Sequence, residues 1–129
     1  MSDEKIEPGQ VWICDSIDDL PPLVCFVGRV DLPAHPERQS NIVSVFVSPH
    51  PKARENGWQK VSHLPIAEEC FRQSALQLFK SGSDVPEVFE RGYAEWKSKF
   101  HTREAGVFSV KLSEAYGGIA KAIRDNAAK

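Results

Sequence analysis

The side chains best suited to chemistry are few and scattered. Asp15, Asp18 and Asp19 crowd the stretch DSIDD. Neighbouring carboxylates can transfer protons or hold a divalent ion, although aspartates in a turn more commonly bond their own backbone. Four histidines occur, His35, His50, His63 and His101, and no two share the i, i+4 spacing of a helical metal site. His35 and His50 lie in proline-rich connections and could approach each other, with Cys70 or His63 completing a zinc set. The spacing of a zinc module is missing, so no metal is expected. His63 stands just before a predicted helix start, a position open to a general base or donor. No phosphate-binding glycine loop, dinucleotide fingerprint or nucleophile elbow is present, and no cofactor is implied.

The three cysteines, Cys14, Cys25 and Cys70, show no C-x-x-C spacing and form no disulfide framework. Two fall in strand-like runs and the third on an apolar helix stripe, where a thiol acts as a small hydrophobe rather than a nucleophile. Basic residues gather at Lys52, Arg54 and Lys60 beside Trp58, and at Lys97, Lys99 and Arg103 beside Trp96 and Phe100. Cations among rings can hold single-stranded nucleic acid. The second group also suits a helix C-terminus, where the dipole favours positive charge. With a formal charge of −2 and a pI near 6.1, no field of one sign draws in nucleic acid or anionic lipid.

The elements that must position these groups follow from periodicity. Strands are predicted at residues 10–14, 23–30 and 41–48, with a short fourth at 58–61. Pro65, acidic Glu68 and Glu69, and the stripe Ile66, Cys70, Ala75, Leu78 and Phe79 predict one helix reaching Lys80 and Gly82. Asp84 with Glu87 resembles a capping box, and Val85, Phe89, Tyr93, Trp96 and Phe100 mark one face of a second helix. Residues 107–112 alternate like a final strand. A third helix at 113–125, with Leu112, Tyr116, Ile119 and Ile123 on one face, is opposed by Gly117-Gly118, which cost about 2 kcal/mol relative to alanines. The loops at 15–22, 31–40 and 49–57 are polar and proline-rich.

Strands followed by helices define an α+β fold: a small antiparallel sheet of four or five strands, SH3-like or half-barrel, packed with two or three helices. The length of 129 residues suits one domain spanning 1–129, with tails at 1–8 and 125–129. The polar start MSDEKIEPGQ is unlike a signal peptide, and the longest apolar run, residues 23–27, is too short for a bilayer, so cytoplasmic residence without a membrane is the expectation.

Pro8-Gly9-Gln10-Val11-Trp12, with the apolar strand that ends at Arg29, resembles the opening of MazF/PemK-type toxin barrels. That resemblance implies a small-barrel ribonuclease with a functional arginine at Arg29. The chain departs from the family pattern in having no arginine ahead of the hydrophobic residues of 23–30, and in its long helical middle.

Taken together, the residues point to a bacterial-type, non-catalytic binding or regulatory domain acting through a protein surface. Rings are enriched at interfaces, which makes Trp12, Tyr93, Trp96 and Phe100 the candidate surface or pocket for a protein partner or a second copy. The alternatives are a toxin-like nuclease using Arg29, His63, Asp15 and Asp19, and a small-molecule pocket lined by Trp12, Phe26, Trp96 and Phe100.

Overall fold

The computed structural model describes residues 5–16, 21–31, 41–55, 58–101 and 107–127. The order is β1 (Val11–Cys14), β2 (Leu23–Asp31), β3 (Ile42–Ser48), α1 (Pro51–Glu55), β4 (Val61–Ala67), α2 (Glu68–Ser74), β5 (Ala75–Lys80), α3 (Glu87–His101) and α4 (Leu112–Ala127). The five strands form one antiparallel sheet, β4-β3-β2-β1-β5. The fold is therefore α+β, as the pattern of strands and helices implies.

Strand alternation divides the sheet into two faces. Cys25, Val27, Val43, Val45, Val47 and Leu64 join Phe71 of α2 and Leu112, Tyr116 and Ala120 of α4 in the main core. On the opposite face Ile42 packs with Trp96 and Phe100 of α3 in a smaller cluster. Both faces of β3 are thus covered, which explains why five of its seven residues are apolar and six are buried. Each large side chain fully withdrawn from water contributes about 1.5–3 kcal/mol, and Trp12, Phe71, Phe89 and Tyr116 are among the most completely buried.

The helix expected over 65–80 is in fact three elements. Pro65 lies within edge strand β4, where its missing N–H faces away from β3 and costs no ladder bond. Its carbonyl instead accepts the Phe108 N–H at 3.0 Å. Helix α2 ends at Ser74, which two other segments claim: its carbonyl accepts the Asp15 N–H at 2.8 Å, and its hydroxyl accepts the Ser113 N–H at 3.2 Å. The chain then turns extended and covers the free edge of β1, with Leu78 opposite Trp12. Apolar runs this short fit either period, and tertiary pairing decides between them.

Other boundaries shift as well. Residues 107–112 do not form a full strand: Phe108 makes one parallel bridge to Ile66, and α4 begins at Leu112. Helix α4 forms despite Gly117-Gly118 because Leu112, Ala115, Tyr116 and Ala120 bury one side of it, and the Tyr116 hydroxyl donates to the Gln59 carbonyl at 2.8 Å. It runs to Ala127, through residues expected to be tail. The connection at 49–57 contains α1, entered through His50, whose carbonyl accepts the Ala53 N–H. At the other end Ile6 is buried in the main core, so the expected tail at 1–8 does not extend that far. Gln10 holds this segment: its amide oxygen accepts the Glu7 N–H at 2.9 Å and the Trp12 indole N–H at 3.0 Å, while its amide nitrogen donates to the Lys5 carbonyl at 2.8 Å.

Candidate functional site

The polar groups of the sheet collect where α3 crosses β2, β3 and β4. Two glycines permit the close approach. Phe89 lies against Gly28 at the irregularity between Val27 and Arg29 of β2. Gly92 faces His63, so near that a Cβ added to the glycine would stand 2.9 Å from the histidine Cβ. The spacing of Phe89, Tyr93, Trp96 and Phe100 then lays four rings along the sheet, with Trp96 stacked on Phe100 at 4.8 Å.

His63 is enclosed by this row. Its ring centroid is 5.3 Å from that of Trp96, 5.6 Å from Phe89 and 5.8 Å from Tyr93. Its Nε2 lies 2.9 Å from the Ser44 hydroxyl. Burial disfavours the charged imidazolium and brings the pKa down to about 4, against a weaker opposite pull from Asp31. The imidazole is therefore neutral at pH 7. Ser44 is fully buried, so the pair does not present a serine nucleophile to an incoming substrate.

Asp31, at the end of β2, fixes the outer side of the helix. It accepts the Tyr93 hydroxyl at 3.1 Å on both carboxylate oxygens, and the Lys97 ammonium at 2.7 Å. Burial, then the neighbouring carboxylate, raises the Tyr93 pKa. The hydrogen bond to Asp31 is the main reason the Lys97 pKa is also raised. Arg29 sits 5.3 Å from the Tyr93 ring centre and pairs with Glu90 at 2.9 Å. Where that seam opens, His63, Pro65, Trp96, Val107 and Phe108 line a cleft of about 370 Å³.

The residues singled out by sequence separate into distinct groups. Arg29 and His63 both contact Tyr93. Asp15 follows β1, three strands from β4, bonded to Ser74 and 3.6 Å from Lys111. Asp18, Asp19 and His35 lie outside the described residues. Trp96 and Phe100 are buried, at 8% and 4% exposure, and Trp12 is at 1%. Trp12 belongs to the main core with Phe71, on the opposite face from Trp96 and Phe100, so these rings share no pocket. Tyr93 alone of the four remains half-buried. Cys14, Cys25 and Cys70 are free and buried, and burial raises the thiol pKa values of Cys25 and Cys70. Among the described residues no group of three or more His, Cys, Asp or Glu side chains could hold a metal ion. Sequence reasoning did not anticipate Ser44 or Asp31, which carry no signal beyond their strand positions.

A second feature lies at the far edge of the sheet. Strand β5 pairs with β1 through two register shifts, and Leu76 and Phe79 are the residues left over at them. Both project outward, with 60% and 61% of their surface exposed. No helix among the described residues is long and apolar enough to cross a membrane.

No family model matches the chain, and neither curated proteins nor solved structures include a significant match to it.

Proposed function

We propose that this is a non-catalytic binding or regulatory domain, and that it contacts a protein partner through β5 rather than through the aromatic helix. One observation carries the reading: Leu76 and Phe79, three residues apart on an edge strand, stay more than half exposed. An edge strand that no further described strand pairs with, carrying large exposed apolar groups, invites association. The paired bulges work against plain strand addition, because they break the regular backbone ladder and turn the extra side chains outward. Recognition on this surface would therefore run through side chains filling a partner's pockets.

A nuclease assembled from Arg29, His63 and Asp15 has less support. Arg29 is engaged by Glu90, the Nε2 of His63 faces buried Ser44, and Asp15 sits toward the opposite edge of the sheet.

The test compares the native chain with Leu76→Asp and Phe79→Asp, using Val88→Asp on α3 as an exposed apolar control. Light scattering reads self-association, and quantitative capture from native lysate reads partners. A specific association lost in both β5 variants, kept in the control and accompanied by unchanged melting supports the reading. Associations indifferent to β5 overturn it.

A further inference from the structure

The cleft between α3 and β4 is independent of β5, and we propose that it binds a small uncharged aromatic molecule whose one hydrogen-bonding group meets Nδ1 of His63. The ring of His63 is fixed in place. Ser44 holds Nε2 at 2.9 Å, and Phe89, Tyr93 and Trp96 pack around the imidazole. The backbone of α3 at Gly92 leaves no space beside its Cβ. Ser44 is the only hydrogen-bond partner of His63 among the described residues, so Nδ1 remains as an oriented polar atom on a side chain that lines the cleft.

The other walls define the rest of the ligand. Val107 and Phe108, half-buried, and the small exposed parts of Pro65 and Trp96 form the other walls, and the volume of about 370 Å³ suits a molecule of one or two rings. No charged side chain lines the cleft among the described residues. Asp31, the carboxylate that acts on His63, is already engaged by Tyr93 and Lys97. A charged ligand would lose hydration there and gain no counter-charge from the described lining residues, whereas a neutral ring would bury apolar area and satisfy one fixed nitrogen. A few oriented polar groups among apolar walls are the usual way small-molecule sites set orientation.

Proton–nitrogen correlation NMR on the full chain at pH 7 tests this, with indole, phenol and benzamide as neutral probes and benzoate and benzylamine as charged ones of matching size. Saturable shifts should be confined to His63, Trp96, Val107 and Phe108, with the neutral probes binding about tenfold more tightly than the charged ones. In the same samples the Nδ1 resonance of His63 should move while Nε2 stays. Leu76→Asp should bind the probes like the native chain, which separates this site from the β5 surface. His63→Phe should weaken indole, phenol and benzamide alike, and if that variant does not fold, the Nδ1 shift in the native chain decides. Three results would each overturn the proposal: no saturable shift at the cleft, equal binding of charged probes, or an unmoved Nδ1.

Discussion

The ring of Phe89 occupies the space where Gly28 lacks a side chain: a Cβ built on Gly28 would stand 2.2 Å from Phe89 Cε1. This contact seats the first turns of α3 on β2 and so sets the depth at which Tyr93 and Trp96 meet His63. Gly28→Ala should destabilise the fold by about 1–3 kcal/mol through overpacking, and Phe89→Ala by about 3–5 kcal/mol through the cavity it leaves. Because both changes act on one contact, the double variant should lose less than the sum of the two. Denaturant titration of the four chains measures the coupling, and strict additivity would show that the two residues do not bear on each other.

One substitution made in two helices should give opposite results. Alanine is about 1 kcal/mol better than glycine in a helix interior. At Gly118 of α4 nothing lies within 4 Å of an added Cβ, so Gly118→Ala should raise stability by about 0.5–1 kcal/mol. At Gly92 of α3 the new Cβ would stand 2.9 Å from His63 Cβ, and the helix must move off the sheet. Gly92→Ala should therefore destabilise despite the same gain in propensity. A raised melting temperature for Gly92→Ala would mean that α3 and β4 are not in close contact.

The pH response of stability should carry the signature of His63. Unfolded, an imidazole takes its proton near pH 6.5; in the folded chain His63 takes it only near about 4. Between these values the unfolded chain holds the extra proton, so stability falls as the pH drops through the window and the effect levels off below it. The whole shift corresponds to about 3 kcal/mol. The ring is partly exposed, and solvent screening reduces the expected loss to about 1–2 kcal/mol. Urea titrations from about pH 7 to about pH 4.5, run beside His63→Gln, isolate it. If the native chain and the variant kept parallel profiles, His63 would not be buried as described.

The thiols offer a direct check on the core. Cys14, Cys25 and Cys70 are buried and unpaired, and burial raises the pKa values of Cys25 and Cys70, which leaves little thiolate to react. A maleimide reagent at neutral pH should label the native chain slowly and the denatured chain at all three positions, as read by intact mass. Rapid native labelling of Cys14 or Cys25 would contradict their place on the core face of β1 and β2.

The sequence made the strands of the meander and the aromatic helix legible because each carries a long, unambiguous period. Residues 23–30 and 41–48 could pack only as strands with one or both faces covered, and Phe89, Tyr93, Trp96 and Phe100 could share a face only on a helix. Ala75–Lys80 was not legible. Its apolar residues fit a helical stripe, and only the free edge of β1, closed by pairing with β5, selects the strand. The site was half legible for a related reason. His63 and Arg29 draw attention by residue type alone, but Ser44 and Asp31 gain their roles from a register that local sequence does not encode. The exposed pair Leu76 and Phe79 was hidden because, read as helix, it belonged to a core face.

The assignment of Trp96 to the core and Phe79 to the surface can be settled in one experiment. Trp96 is 8% exposed, held between Phe100 and His63, so Trp96→Ala removes a large ring from a packed site and should cost about 3–5 kcal/mol. That is a large share of the roughly 5–15 kcal/mol by which domains are stable. Phe79, at 61% exposure on the edge strand, has little packing to lose, and Phe79→Asp should change stability by no more than about 0.5 kcal/mol. Association should respond in the opposite sense: a folded Phe79→Asp chain loses its partner or second copy, whereas the milder Trp96→Phe retains it. Melts paired with light scattering give both readings for each variant. A stable Trp96→Ala chain that has lost association would return the binding surface to the aromatic helix and remove it from β5.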